Sequence, residues 1–140
     1  MRSGEIIEKH RAMQMNPVVL AFIGDAVFSL YVREKLTLNN DFKSGKLSEM
    51  SAKVVSAKSQ AKFFDEHHDL FTEEEADVFR RARNSKKTSR AKNSTVSEYN
   101  KSTGVEAVLG FLYLTGEEER LGVILATLAG FDGEGRNCLR

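Results

Sequence analysis

An all-α fold is the class this sequence predicts. Apolar residues recur at three- and four-residue spacing through most of the chain, and no stretch alternates apolar with polar residues as a half-buried strand would. With 140 residues, 41% of them hydrophobic, the chain is long enough for one domain with a real core, and no repeat or low-complexity linker divides it. Residues 1–140 are therefore read as a single domain.

Six helices are expected. The first covers about residues 5–13 and ends near Asn16-Pro17, a natural cap and first-turn pair for the next helix. The second spans about residues 17–36, with Val19, Ile23, Val27, Leu30 and Tyr31 at helical intervals as its core stripe. After the turn-like TLNNDFKSG comes a third helix, about residues 46–67, striped by Leu47, Met50, Val54, Ala57, Ala61 and Phe64. A fourth starts after Thr72, where Glu73, Glu74 and Glu75 suit the positive end of the helix dipole, and runs to about Arg83. Residues 84–94 are polar and basic without apolar periodicity, which reads as an exposed loop. Helices over about residues 95–114 and 117–128 complete the domain, and residues 131–140 read as a frayed, disordered tail.

The N-terminus, MRSGEIIEKH, is charged where an export signal needs an apolar core, and no run approaches the roughly 18 apolar residues of a membrane span. Cys138 has no second cysteine to pair with, so a disulfide framework or cysteine-based metal site is excluded. A cytoplasmic protein with no membrane partner is the expectation. The net charge is only +1, but its distribution is uneven: Arg80, Arg81, Arg83, Lys86, Lys87, Arg90 and Lys92 form a stretch with no acid among them. Basic charge gathered in one segment suits a phosphate-bearing partner, although such a run is often only a solvated surface.

Two acids are out of keeping with their neighbours. Asp25 is the only charge in VVLAFIGDAVFSLYV and Glu106 the only charge in TGVEAVLGFLYL. Both segments are too apolar to have one buried side, so each carboxylate is drawn towards the interior, where it must be neutralised, paired or bound to a metal. Small residues flank both: Gly24 and Ala26 at one, Gly104, Ala107 and Gly110 at the other. If the two helices cross there, both carboxylates reach one cation, and oxygen ligands of this kind suit Mg²⁺ or Mn²⁺. On patterning alone, a lone acid in an apolar helix more often makes a structural hydrogen bond or salt bridge than it binds a catalytic metal. The 3 histidines lie outside both segments, and no serine or threonine stands in a nucleophile–base arrangement.

These segments also carry a resemblance. LAFIGDAVFSLYVR resembles the signature helix of ribonuclease III domains, GVEAVLGFLYL the second acidic segment, and SGKLSEMSAKVVSAKSQAKFF the middle helix between them. The short chain, the lack of an appended double-stranded-RNA-binding domain and the run RRARNSKKTSRAKNSTVSEYNKSTGVEA resemble the compact Mini-ribonuclease III subclass. The resemblance implies a ribonuclease III endonuclease-like helical fold with Asp25 and Glu106 as catalytic, metal-binding residues, and Mg²⁺ as cofactor with Mn²⁺ a substitute. Longer members of the family carry further acids where this chain has Ala21, Ser44 and Thr103. The implied activity is hydrolysis of duplex RNA to 5′-phosphate and 3′-hydroxyl ends by metal-activated water. Arg83, Asn84, Lys86, Lys87 and Lys92 become candidate RNA contacts, recognising shape more than sequence.

By the same resemblance the protein is a homodimer that matures the ends of 23S ribosomal RNA precursor, with a ribosomal protein as a further partner presenting the substrate. The second helix fits a dimer, since Phe22, Phe28 and Val32 lie away from the stripe assigned to the core and offer a surplus apolar face. Two rival readings remain: a catalytically silent helical domain that binds RNA or the ribosome, and a helical module that docks another protein.

Overall fold

The fold is organised around one helix that is buried on nearly every side. In the computed structural model, which describes residues 4–39, 41–87 and 94–130, that helix is α6 (Val96–Leu114), with an unbroken buried run from Ser102 to Val105 and another from Ala107 to Leu112. Around it pack α1 (Lys9–Gln14), α2 (Pro17–Asn39), α3 (Ser44–Val54), α4 (Ala57–His67), α5 (Glu73–Arg83) and α7 (Glu118–Leu128), with a 3-10 turn at His68–Leu70. The α2–α6 pair is the most extensive contact, followed by α5 and α4 against α6. The described residues contain no strand, as the sequence predicted.

Local chemistry sets most helix ends. Thr72 and Thr95 each accept a hydrogen bond from the backbone N–H three residues on, and Glu75 and Glu98 reach back to the N–H of the threonine. These capping boxes satisfy two N-terminal donors apiece, and they fix α5 and α6 within a residue of their expected starts. Asn16 Oδ1 accepts from the Val18 N–H at 2.9 Å and starts α2 at Pro17. At the far end of α6, Gly116 has φ +74°, and the Glu117 N–H bonds to the Leu112 carbonyl while the Gly116 N–H bonds to that of Tyr113. This left-handed exit turns the chain into α7.

Three expectations need correction. The first helix begins at Lys9, because the segment before it is not helical and the Ile7 N–H is taken by the Leu114 carbonyl. The third expected helix is two helices. Ser56 accepts from the Ser59 N–H and donates to the Lys53 carbonyl, which ends α3 and caps α4 in a single residue.

The buried face of α2 is also different: it follows Leu20, Gly24, Phe28, Val32 and Leu36, one residue at each four-residue step. Val19 and Leu30 are exposed, and Phe28 and Val32 belong to the protein's own core. Because α2 is apolar around most of its circumference, periodicity could not choose between its faces; the close contact with α6 does. What remains outside is a stripe of Val19, Phe22, Ala26 and Leu30, with Phe22 81% exposed.

Close approach of α2 and α6 depends on two glycines. A Cβ built on Gly24 would lie 1.7 Å from the Glu106 carbonyl oxygen, and one on Gly110 1.9 Å from that of Leu20. Elsewhere the core is filled by large side chains, among them Phe28, Phe63, Phe111, Leu109 and Ile124, and by a stacked Phe64–Phe79 pair with ring centroids 3.9 Å apart. No helix among the described residues is long and apolar enough to cross a membrane. The tail expected at 131–140, with Cys138, lies outside the described residues.

Candidate active site

Asp25 and Glu106 are brought together by the glycine contact beneath them. With no side chain at Gly24, the Glu106 backbone seats directly on α2, and the next residue along α2 is Asp25. Asp25 is exposed, while Glu106 is partly buried with its carboxyl group well shielded from water. That shielding and the neighbouring Asp25 charge push the Glu106 carboxyl up to about 8; a hydrogen bond from Gln60 works the other way, and a hydrogen bond shared with Asp25 adds to the rise. Two acids in contact, one withdrawn from water, disfavour a doubly ionised state in the bare protein.

The third member of the site was not singled out from the sequence. Gln60, on α4, is 1% exposed. Its Nε2 donates to Glu106 Oε2 at 3.1 Å and to the Val55 carbonyl at 3.1 Å. Its Oε1 is buried without a partner among the described residues. The signal lay in the pattern of AKSQAKFF: a glutamine beside Ala57, Ala61 and Phe64, on the side of the helix that goes inward.

The positions at which longer relatives carry further acids supply none here. Ala21 is buried in the core, the Thr103 hydroxyl donates to the Tyr99 carbonyl at 3.0 Å, and Ser44 is the exposed first residue of α3. Among the described residues no group of three or more His, Cys, Asp or Glu is placed to hold a metal. The oxygen donors available at the site are the two carboxylates, with the Gln60 amide behind Glu106. Their chemistry still fits a hard divalent cation that keeps several of its own waters, as Mg²⁺ does. The fit also follows from charge, because a cation held by the two acids would offset the Asp25 repulsion that adds to burial in raising the Glu106 carboxyl.

The candidate RNA contacts sit at the C-terminal end of α5 and just beyond it. Arg83 donates to Asn84 Oδ1 at 3.2 Å, with its guanidinium 5.6 Å from the centre of the Phe79 ring. Asn84 is the C-cap of α5. Lys87 Nζ turns back to the Arg83 and Ser85 carbonyls at 3.0 and 2.7 Å, and its partial burial lowers its pKa. Lys86 is exposed, and Lys92 lies outside the described residues.

The ribonuclease III domain profile matches residues 18–117, from the start of α2 to the loop after α6. The chain belongs to the ribonuclease III family. Within the family it is similar to a Mini-ribonuclease 3 of Staphylococcus aureus, 48% identical over 79% of this chain and 84% of the relative. A Mini-ribonuclease 3 of a Thermoanaerobacter species is 43% identical over 89% of this chain and 88% of its own. A crystal structure of a protein from Fusobacterium nucleatum superposes with a TM-score of 0.73 at 29% identity, covering 81% of this chain and 90% of that one. The family resemblance read from the sequence holds, as does the all-α fold, and this ribonuclease III domain is an endoribonuclease.

Proposed function

We propose that the protein is a divalent-metal-dependent endoribonuclease that cleaves duplex RNA through Asp25 and Glu106. The observation that carries this reading is a shielded carboxyl acted on, among the described residues, by the charge of another acid at the crossing of α2 and α6. A structural acid in such a place is ordinarily given a basic partner. Asp25 and Glu106 would hold the cation, which when bound activates water and offsets charge on the phosphoryl oxygens. Glu106 would bind the cation as its carboxylate, since a protonated carboxyl is a poor ligand, and its place in the packed α2–α6 contact limits its movement. Asp25, beside it, is exposed to solvent and so accessible to a phosphodiester.

Several features support the finer parts of the reading. Lys86 and Arg83, with Lys87 and Lys92, provide positive charge suited to the backbone of an A-form duplex, and Asn84 adds a neutral hydrogen-bonding amide. The stripe Val19–Phe22–Ala26–Leu30 runs along the same helix as Asp25, and an apolar strip of this kind supports a symmetric dimer that brings two sites to one duplex. Maturation of 23S ribosomal RNA precursor in the cytoplasm, aided by a ribosomal protein, is the physiological role this reading adopts from the family.

The test is cleavage of a long RNA duplex at low salt with Mg²⁺, Mn²⁺ or chelator, comparing the wild type with Asp25→Asn and Glu106→Gln. Metal-dependent cleavage is expected, with each variant folding and binding duplex but losing at least about 100-fold in rate, the scale of a metal's electrostatic contribution. Binding without cleavage of either a plain duplex or a ribosomal precursor would replace the enzyme reading with a silent RNA-binding domain.

A further inference from the structure

We infer that Gln60 is a positioning residue for Glu106, acting on the carboxylate's geometry and not touching substrate. The inference rests on the proposed metal-binding role of Glu106. Gln60 comes from α4, a different helix from either acid, and its amide spans from the Val55 carbonyl at the α3–α4 break to Glu106 Oε2, both at 3.1 Å. The orientation of the amide is determined by these partners. Turned over, it would set its own oxygen against the Val55 carbonyl, one acceptor facing another, so Nε2 must occupy this position.

A further observation separates positioning from packing. Gln60 is 1% exposed, yet its Oε1 has no hydrogen-bond partner among the described residues. A buried amide with one end unsatisfied is unfavourable for the fold, and leucine or methionine would fill nearly the same volume without that cost. The amide's contribution is therefore specific: one donor that fixes Glu106 Oε2 and leaves the rest of that carboxylate to face Asp25. Such outer hydrogen bonds orient metal ligands, and losing one typically weakens metal affinity or activity by about 10- to 100-fold. The α3–α4 break made by Ser56 lies beside this amide. The break exposes the Val55 carbonyl, which otherwise would be committed within a continuous helix, and that carbonyl anchors the amide.

The experiment uses the full chain as wild type, Gln60→Leu and Gln60→Met. It measures the melting temperature without metal, Mn²⁺ affinity by calorimetry, duplex binding, and kcat and KM on a duplex substrate. Expected are melting temperatures at or above wild type, Mn²⁺ affinity reduced about 10- to 100-fold, kcat reduced to a similar degree and KM for RNA unchanged. Wild-type Mn²⁺ affinity and kcat in either folded variant would overturn the proposal, and loss of folding in both would make Gln60 a determinant of the fold instead. If the wild type itself binds no Mn²⁺ and cuts no RNA, the metal reading of Glu106 fails and this inference with it.

Discussion

Gly24→Ala adds one carbon where the two helices that carry the acids touch. The new Cβ would stand 1.7 Å from the Glu106 carbonyl oxygen, 2.7 Å from its carbon and 2.9 Å from the Gly110 nitrogen. All three are backbone atoms, so no side chain can swing aside. Reaching even the 3.0 Å limit below which real Cβ contacts essentially never fall requires α2 and α6 to part by about 1.3 Å. Overpacking of this kind costs about 1–3 kcal/mol, which for a chain of this length corresponds to a fall in melting temperature of roughly 4–12 °C.

The larger effect should be on activity. Asp25 and Glu106 sit on opposite sides of the contact that is forced apart, and a misplacement of about 1 Å can cost about 100-fold in rate. Thermal unfolding and single-turnover duplex cleavage, measured well below the variant's melting temperature, separate the two effects. The control is Gly122→Ala, on the exposed side of α7 with nothing within 4 Å of the added carbon. There alanine should stabilise by about 0.5–1 kcal/mol and leave cleavage unchanged. If Gly24→Ala retains wild-type stability and rate, the tight α2–α6 crossing does not position the acids and the argument from packing to site is wrong.

Two further outcomes are expected. The Glu106 carboxyl is raised from 4.5 to about 8 in the folded chain, so over that interval the folded protein binds more protons than the unfolded one. The contribution of the Asp25–Glu106 pair to stability should then fall as pH rises from about 4.5 to about 8 and level off above it. Glu106→Gln should abolish this component of the metal-free melting curve, and added Mn²⁺ should raise the wild-type melting temperature more at pH 8 than at pH 6; equal shifts at both would contradict the assignment. For RNA binding, Lys86→Ala should weaken duplex affinity and make the slope of log affinity against log salt shallower by about 1, as loss of one phosphate contact does. An unchanged slope would remove Lys86 from the interface.

The two acids were legible in the sequence because a lone charge inside an apolar segment is conspicuous, and the glycines beside them marked a close crossing. The starts of α5 and α6 were legible, where Thr72 and Thr95 each open a polar-to-apolar segment three residues before a glutamate. The buried face of α2 was not, because Val19, Phe22 and Leu30 are as apolar as Leu20, Phe28 and Val32, and only the position of α6 distinguishes them. The α3–α4 break was hidden for a related reason. Ser51, Ser56 and Ser59 look alike in sequence, and only Ser56 is placed to end one helix and cap the next. Gln60 escaped notice because its significance depends on a carboxylate 46 residues away, which local periodicity cannot register.

Glu75 shows why the apolar context of an acid is only half of the argument. It is buried too, with its side chain 3% exposed, but it is preceded by Glu73 and Glu74 and so reads as part of a solvated first turn. Its oxygens accept from Arg120 Nε at 2.8 Å and Nη2 at 2.9 Å, and from the Thr72 N–H at 3.1 Å. Arg120 is held in turn by the Leu70 carbonyl. Every requirement of that carboxylate is met within the protein, and its role is to join the start of α5 to α7. Glu106 is partly buried among helices of the same fold with its carboxyl group shielded, yet among the described residues its partners are a neutral amide and a second acid. The fold can place an arginine against a buried glutamate, and does so at Glu75. Among the described residues Glu106 is paired with Asp25 and with no base, an arrangement that favours an added positive charge, which is the demand the proposed metal meets.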